Sequence, residues 1–457
     1  MSKFAELETI PVYQKSEGKI YVREQFGRFQ AIRRKLSSVL LAIFILIPFL
    51  QFNGEQAVLF DVKQQTLTLF YWVLYPQDLF IFALVFIAAA YGLFWVTRKY
   101  GRVWCGYTCP QTIWSLMFMW VENRVIGSRN QQITLDKQPW SVTKLSKKSA
   151  VYVIWAMIAL ITALVFMSYF IPVGRLYPGF FSLSLTGLET GWVLFFATCT
   201  FVNAGFIREK MCEHMCPYSR FQSAMFQPET RLVTYDVSRG EGRGPRRRNQ
   251  TKPSGMGDCV DCKLCVQVCP AGIDIREGLQ AECINCGLCV DACNDVMTNF
   301  GYQPNLIRYQ AQAPSLHSPK MTLGYAAGVL LVVIAMVAWT QIRSTMELSV
   351  LRDRNALYRT DYLGNVENTY TLKLLNKSRN TEFVELVAVR SNDGKELLRQ
   401  DYEINAQEQL NVATALTMHD SVFAQNNKTD VVFTVTEKDS NEVLSRKQTV
   451  FYGPSFN

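Results

Sequence analysis

Eight cysteines in two short runs carry the clearest chemistry in this 457-residue chain. "CVDCKLCVQVCP" supplies Cys259, Cys262, Cys265 and Cys269, and "CINCGLCVDACN" supplies Cys283, Cys286, Cys289 and Cys293. Each run reads C-x2-C-x2-C-x3-C, the spacing of bacterial two-cluster ferredoxins. There, three thiolates of one run hold a cubane and the fourth ligates the other cluster. This assigns Cys259, Cys262, Cys265 and Cys293 to one 4Fe–4S cluster, and Cys283, Cys286, Cys289 and Cys269 to a second. Zinc closes on four ligands and rarely uses eight thiolates in this crossed spacing. Asn294 stands where the pattern usually has proline, which removes a turn constraint and no ligand.

Four further cysteines repeat a C-x3-C-P motif: Cys105 and Cys109 in "VWCGYTCPQ", Cys212 and Cys216 in "KMCEHMCPYS". Pro110 and Pro217 suit the first turn of a helix, where a missing N–H costs nothing. Flanked by Met211, His214 and Met215, the four thiols suit a soft metal such as Cu(I), or a thiol redox step. The competing reading is small residues packing a tight turn. Cys199, alone within an apolar run, and Met117 and Met119 read as packing.

The elements that must position these thiols are apolar. Hydrophobic residues make up 49% of the chain at a mean hydropathy of only +0.05, so they are concentrated in segments. Five runs, Leu36–Phe52, Leu79–Val96, Ala150–Val173, Gly191–Ile207 and Thr322–Ile342, are each long enough to cross roughly 30 Å of hydrocarbon. Residues 1–35 are polar and charged, unlike a signal peptide. Residues 98–149 carry nine Lys or Arg, whereas residues 53–78 carry only Lys63 and residues 174–190 only Arg175. The positive-inside rule then puts the N-terminus and residues 208–321 in the cytoplasm, and five spans put the C-terminus outside. All 13 cysteines precede residue 294 and none lies in a segment expected outside, so a disulfide framework is excluded there. The formal net charge of +9 is mostly cytoplasmic, facing lipid headgroups or an acidic partner.

The expected organisation is therefore a multi-domain membrane protein. Residues 1–35 form a cytoplasmic segment, and 36–230 a four-span helical domain holding both motifs. A basic linker occupies 231–257, a two-cluster ferredoxin-like α+β domain 258–300, and a fifth transmembrane helix 322–342. In the membrane domain the order span, span, C-x3-C-P, short helix occurs at 36–122 and again at 150–228, a parallel repeat about an axis normal to the membrane. Such symmetry would bring Cys105, Cys109, Cys212 and Cys216 together. The linker, with Arg246–Arg248, reads as a solvated connection, the alternative being a docking site for lipid or an electron donor. In residues 345–457, "TYTLKLLN", "EFVELVAVRS", "DVVFTVTEKD" and "RKQTVFYGP" alternate apolar and polar residues between turn signals. This suggests an immunoglobulin-like all-β sandwich. It holds His419 and no cluster of acids or bases.

Together the two C-x3-C-P motifs, "RGEGRGPRRR", the paired ferredoxin runs and the terminal sandwich resemble the CcoG/FixG/RdxA family of cytochrome c oxidase accessory proteins. The resemblance covers nearly the whole chain. It implies an inner-membrane cupric reductase, with copper as substrate or bound ion, serving assembly of C-type (cbb) oxidases. The partners implied are the membrane, oxidase assembly factors or copper chaperones, and a cytoplasmic electron donor of open identity. A homodimer stays open, and nothing points to nucleic acid. Two other readings remain: a quinol-linked electron conduit to a periplasmic reductase, and a copper-handling scaffold with structural clusters. The residues alone support a membrane-bound ferredoxin with a thiol site.

Overall fold

A computed structural model describes residues 19–52, 54–248, 252–311, 319–353, 356–423, 426–438, 440 and 442–454. Residues 1–18 of the N-terminal segment, 249–251 of the linker and the first residue or two of the expected fifth span's helical end lie outside the description or carry no side-chain detail. The chain divides into two compact units, Met1–Ala335 and Met336–Asn457.

Among the described residues four helices are long and apolar enough to cross a membrane: Pro76–Tyr100, Val142–Met167 and Gly187–Ile207 in the first unit, and Leu323–Ile342, which runs past its end. Phe86, Leu188 and Leu331 stand well exposed on them, as expected for helices whose outer faces meet lipid tails and not water. Leu36–Phe52 is not a fifth helix of that length. Its helix starts earlier, at Arg28, and stops at Leu46, followed by a 3-10 turn at Ile47–Phe49 and a short strand at Gln51–Phe52. Two physical causes combine. Arg33, Arg34 and Lys35 occupy the helix's early turns, and Pro48 ends it, leaving an uncharged stretch of about 16 Å at 1.5 Å per residue.

The loop before Pro76 folds into a three-stranded antiparallel sheet, with Thr66–Leu69 between Val58–Asp61 and Trp72–Leu74. The helix Pro110–Val125 packs Phe118 and Val121 against Val151, Trp155 and Ala159 of Val142–Met167, and Ala204 closes the same core. Trp155 Nε1 donates to the Phe118 carbonyl at 3.1 Å, so the indole is buried with its donor satisfied.

The cysteine-rich segment is built on the helices Leu264–Gln267 and Leu288–Phe300 and on the antiparallel pair Leu232–Tyr235 and Ile307–Gln310. Val233, Ile275, Met297 and Ile307 form its core. The basic linker is not a free connection. Asp258 N donates to the Arg239 carbonyl at 2.9 Å, Gly257 N to Gly242 at 3.3 Å and Gly244 N to Cys259 at 3.4 Å. A Cβ on Gly257 would sit 2.1 Å from the Glu241 carbonyl oxygen, so this approach admits only glycine. Composition hid the fold because these bonds are backbone to backbone and leave no apolar period.

The second unit is a two-sheet antiparallel sandwich. One sheet orders Gln409–His419, Asn365–Asn376 and Met346–Arg352, with Arg359–Thr360 also on Asn365–Asn376. The other orders Glu396–Ile404, Glu382–Arg390, Lys428–Glu437 and Val443–Tyr452. Tyr370 and Phe433 meet edge to face at 5.6 Å in its core. The four expected strands are present. Met346–Arg352, Glu396–Ile404 and Gln409–His419 were additional, the last two being strands whose outward residues are mostly polar.

Candidate functional site

Each C-x3-C-P motif is a turn between a long apolar helix and a proline-led helix. Val103–Tyr107 is a single helical turn, and Cys109 caps Pro110–Val125 with Pro110 in its first turn. The second motif forms a π-helical turn, Met211–Met215, before Pro217–Ala224. The repeat extends to single hydrogen bonds. Thr112 Oγ1 donates to the Cys105 carbonyl at 2.7 Å, and Ser219 Oγ donates to the Cys212 carbonyl at 2.5 Å, each across seven residues.

The two halves then cross. Gln111 Nε2 of the first half reaches the Arg208 carbonyl at 3.1 Å. Gln222 Nε2 of the second reaches Thr97 Oγ1 at 3.2 Å, while Gln222 Oε1 accepts from Cys105 Sγ at 3.3 Å. Arg102, itself buried, donates to the Ser219 carbonyl of the second motif helix and to the Ala281 carbonyl ahead of Cys283.

The four thiols converge. Burial first, and then the neighbouring Cys109, Cys212 and Cys216, push the Cys105 thiol up to about 12, with Arg102 opposing. Burial and the nearby Cys109 and Cys216 likewise push Cys212 up to about 11. Cys105 and Cys212 are therefore held as thiols near neutral pH. A cavity of about 250 Å³ opens here, lined among others by Arg102, Met119, Cys212, His214, Ala281 and Ile284. Among the described residues no three His, Cys, Asp or Glu side chains stand close enough to hold a single metal ion.

The first motif sits on the second ferredoxin run. A Cβ on Gly106 would lie 2.7 Å from the Ile284 carbonyl oxygen and 3.0 Å from Cys286 Cα, so backbone meets backbone there. Asn285, buried in the left-handed region at φ 55°, secures the same loop. Its Nδ2 donates to the Tyr100 carbonyl at 2.9 Å, and its Oδ1 accepts from Val233 N at 2.9 Å.

The eight ferredoxin-pattern cysteines fall into two neighbourhoods. Cys269, Cys283, Cys286 and Cys289 line one small cavity, into which Cys265 also reaches. Cys293 lies within electrostatic range of Cys259 and Cys262, and Cys265 of Cys293 and Cys262. Burial pushes Cys265, Cys283 and Cys293 up to about 12 and Cys269 to about 11. Thiolates crowded in an interior suit a group that shares their charge, as the irons of a cubane do. Each iron takes its own cysteine, so the ligands of a cubane stand wider apart than those of one ion.

Of the remaining singled-out residues, Cys199 is exposed on the Gly187–Val202 helix, Met119 lines the cavity, and Met215 and His214 face outward. Arg102, Gly106, Arg208, Gln222 and Asn285 were not singled out from sequence. The usable signals were an arginine within four residues before each motif and a glycine between the first two cysteines.

Known proteins resemble the chain in two regions and along its length. Residues 207–312 match a family described as a 4Fe-4S dicluster domain, and residues 336–454 match the IG-like fold at the C-terminal of FixG. Protein RdxA of Cereibacter sphaeroides is 37% identical, over 79% of this chain and 80% of its own. Nitrogen fixation protein FixG of Rhizobium meliloti is 34% identical, over 80% of this chain and 78% of its own. The crystal structure of a FixG-related protein from Vibrio parahaemolyticus is 30% identical over 24% of this chain and 98% of its own, with a TM-score of 0.21.

Proposed function

This chain belongs to the FixG/RdxA family of 4Fe–4S membrane proteins of electron transfer, and we propose that it reduces Cu(II) to Cu(I) for assembly of a C-type haem–copper oxidase. Cys259, Cys262, Cys265 and Cys293 would hold one cluster, and Cys283, Cys286, Cys289 and Cys269 the other. When bound, the clusters supply single electrons, which suits a one-electron substrate couple without a flavin. Cys105, Cys109, Cys212 and Cys216 receive the copper. Each Cu(II) would take one electron, which clusters held by residues 259–293 would supply, and soft sulfur would retain the Cu(I) formed. Thiolates left without that supply would reduce copper themselves, two Cu(II) for each disulfide formed.

The observation that carries this reading is the contact of Gly106, next to Cys105, with the Cys283–Cys286 loop. Its test is Cu(II) turnover by the purified full chain, followed with a Cu(I)-specific chelator. Replacing all four motif cysteines with serine should abolish copper binding and turnover while iron and acid-labile sulfide stay unchanged. Copper turnover that survives would move the site elsewhere. The absence of a single-ion grouping among the described residues favours a second reading, in which the quartet holds a further cluster. Iron in excess of two cubanes, lost with those four thiols, would select it.

In topology, Leu36–Phe52 would be the first of five crossings of the inner membrane, made by a shorter helix and the turn after it, leaving the ferredoxin module cytoplasmic and the sandwich periplasmic. Reporters fused after Asn457 and inserted near Gly255 should report opposite sides. The same side for both would remove that crossing.

A further inference from the structure

The two ends of the ferredoxin module have different surroundings. The second run is covered by the first motif, by Tyr100 through Asn285 and by Arg102 through Ala281. The first run meets none of these; Arg23 N donates to its Gln267 carbonyl at 2.8 Å, and its Cys262 end stands open among the described residues. Of the eight ferredoxin-pattern cysteines, Cys262 alone is exposed. Residues 239–263 around it hold seven Lys or Arg against three Asp or Glu. The acids are already committed: Asp258 pairs with Arg239 and Lys252 at 2.8 and 2.7 Å, Asp261 with Arg276 at 2.5 Å, and Glu241 with Arg243 at 3.5 Å.

The rim is also held in place. Arg248 Nε donates to the Asn299 carbonyl at 2.6 Å, and Arg246 lies 5.1 Å over the Tyr302 ring and donates to the Gly257 carbonyl at 2.7 Å. Positive charge fixed on the segment that runs into the one exposed cysteine of the eight favours an anionic partner that must come close to it.

We propose that this rim is the docking surface for an acidic electron-carrier protein of the ferredoxin or flavodoxin kind, which delivers electrons at the Cys262 end. One electron passes per encounter: the reduced carrier is oxidised by one unit, the module is reduced by one, and no bond or proton moves. A protein fits better than a membrane because the basic segment leads directly into Cys262 and Lys263, both exposed, and the module's other end already meets the first motif and the end of the Pro76–Tyr100 helix. The proposal rests on reading residues 259–293 as an electron-transfer module.

The test uses the full chain in neutral phosphatidylcholine nanodiscs and a reduced acidic plant-type ferredoxin as probe. Association should weaken as salt rises, because exposed charges are screened beyond about 10 Å at 0.1 M. Replacing Arg243, Arg247 and Arg248 with glutamate should lower the association rate by about tenfold or more, with iron content unchanged. A triple glutamine variant should fall between, which separates lost charge from lost fold. Unchanged association in the glutamate variant overturns the proposal. So does a variant that keeps the ferredoxin but loses binding to phosphatidylglycerol vesicles, which would make the rim a lipid surface. Absence of iron and acid-labile sulfide from the parent chain would instead overturn the module itself.

Discussion

The two C-x3-C-P motifs share spacing, a following proline and a matching hydroxyl-to-carbonyl hydrogen bond, yet their surroundings differ. The first is a plain helical turn with Cys105 buried and Gly106 pressed on the Cys283–Cys286 loop. The second lies in π-helical turns, with Glu213 in the place of Gly106 and with His214 and Met215 exposed. Between its two π-turns Arg208 is held at φ 47°, a strained value for a residue with a side chain. One half thus carries the contact to the Cys283–Cys286 loop, and the other exposes His214 and Met215. In the proposed reaction the first motif is the electron side and the second the copper side.

The largest expected effect tests the anchoring of the second motif. The Arg208 guanidinium pairs with Glu122 at 3.0 Å, both nearly buried, and lies 5.5 Å over the Trp155 ring. Arg208→Met leaves Glu122 with Lys19 alone, at 2.7 Å, and should cost about 3–5 kcal/mol of stability. Thermal unfolding would measure this, and adding Glu122→Gln should recover much of it. A loss under 1 kcal/mol would mean that the strained turn needs no such anchor.

A smaller effect separates the motifs directly. Gly106→Ala forces a methyl group against the Ile284 carbonyl and should cost about 1–3 kcal/mol, seen as faster amide exchange at residues 281–287. The same change at the counterpart position, Glu213→Ala, should leave exchange there untouched. Equal effects would erase the distinction between the two sides.

The smallest effect is a slope. The Cys105 and Cys212 thiols are raised to about 12 and 11, so both remain protonated from pH 6 to 8 in the metal-free protein. Copper must displace those protons, and apparent affinity should rise with pH by about a factor of ten per unit for each proton released. A flat profile would mean that the bound ion does not displace the thiol protons. Cys212→Ser should reduce the slope by one proton.

Sequence spacing made the ferredoxin pattern legible because a cubane needs fixed intervals between thiolates. It made the sandwich legible because its inner residues alternate. The length of the first helix was not legible, because apolar composition does not register what Pro48 and the preceding basic residues do to it. The linker misled because its order comes from backbone bonds, a glycine-only approach and arginine side chains reaching distant carbonyls, none of which leaves an apolar period. The candidate thiol site was legible as two motifs but not as a crossed pair. Nothing local in "QTIWS" or "YSRFQ" says that Gln111 and Gln222 reach across to the opposite half.

That crossing bears on how the protein is made. Arg102 finds its two carbonyl partners 117 and 179 residues further along the chain. While the ribosome is still short of Ala281, the first motif has been synthesised but its arginine has no second partner and Gly106 has no loop to rest on. The bonds that cross the two halves, from Thr97 to Gln222, need nothing made later than Gln222. Translation order thus lets the two motifs meet each other first and leaves the seating of Gly106 on the 283–286 loop as the late step.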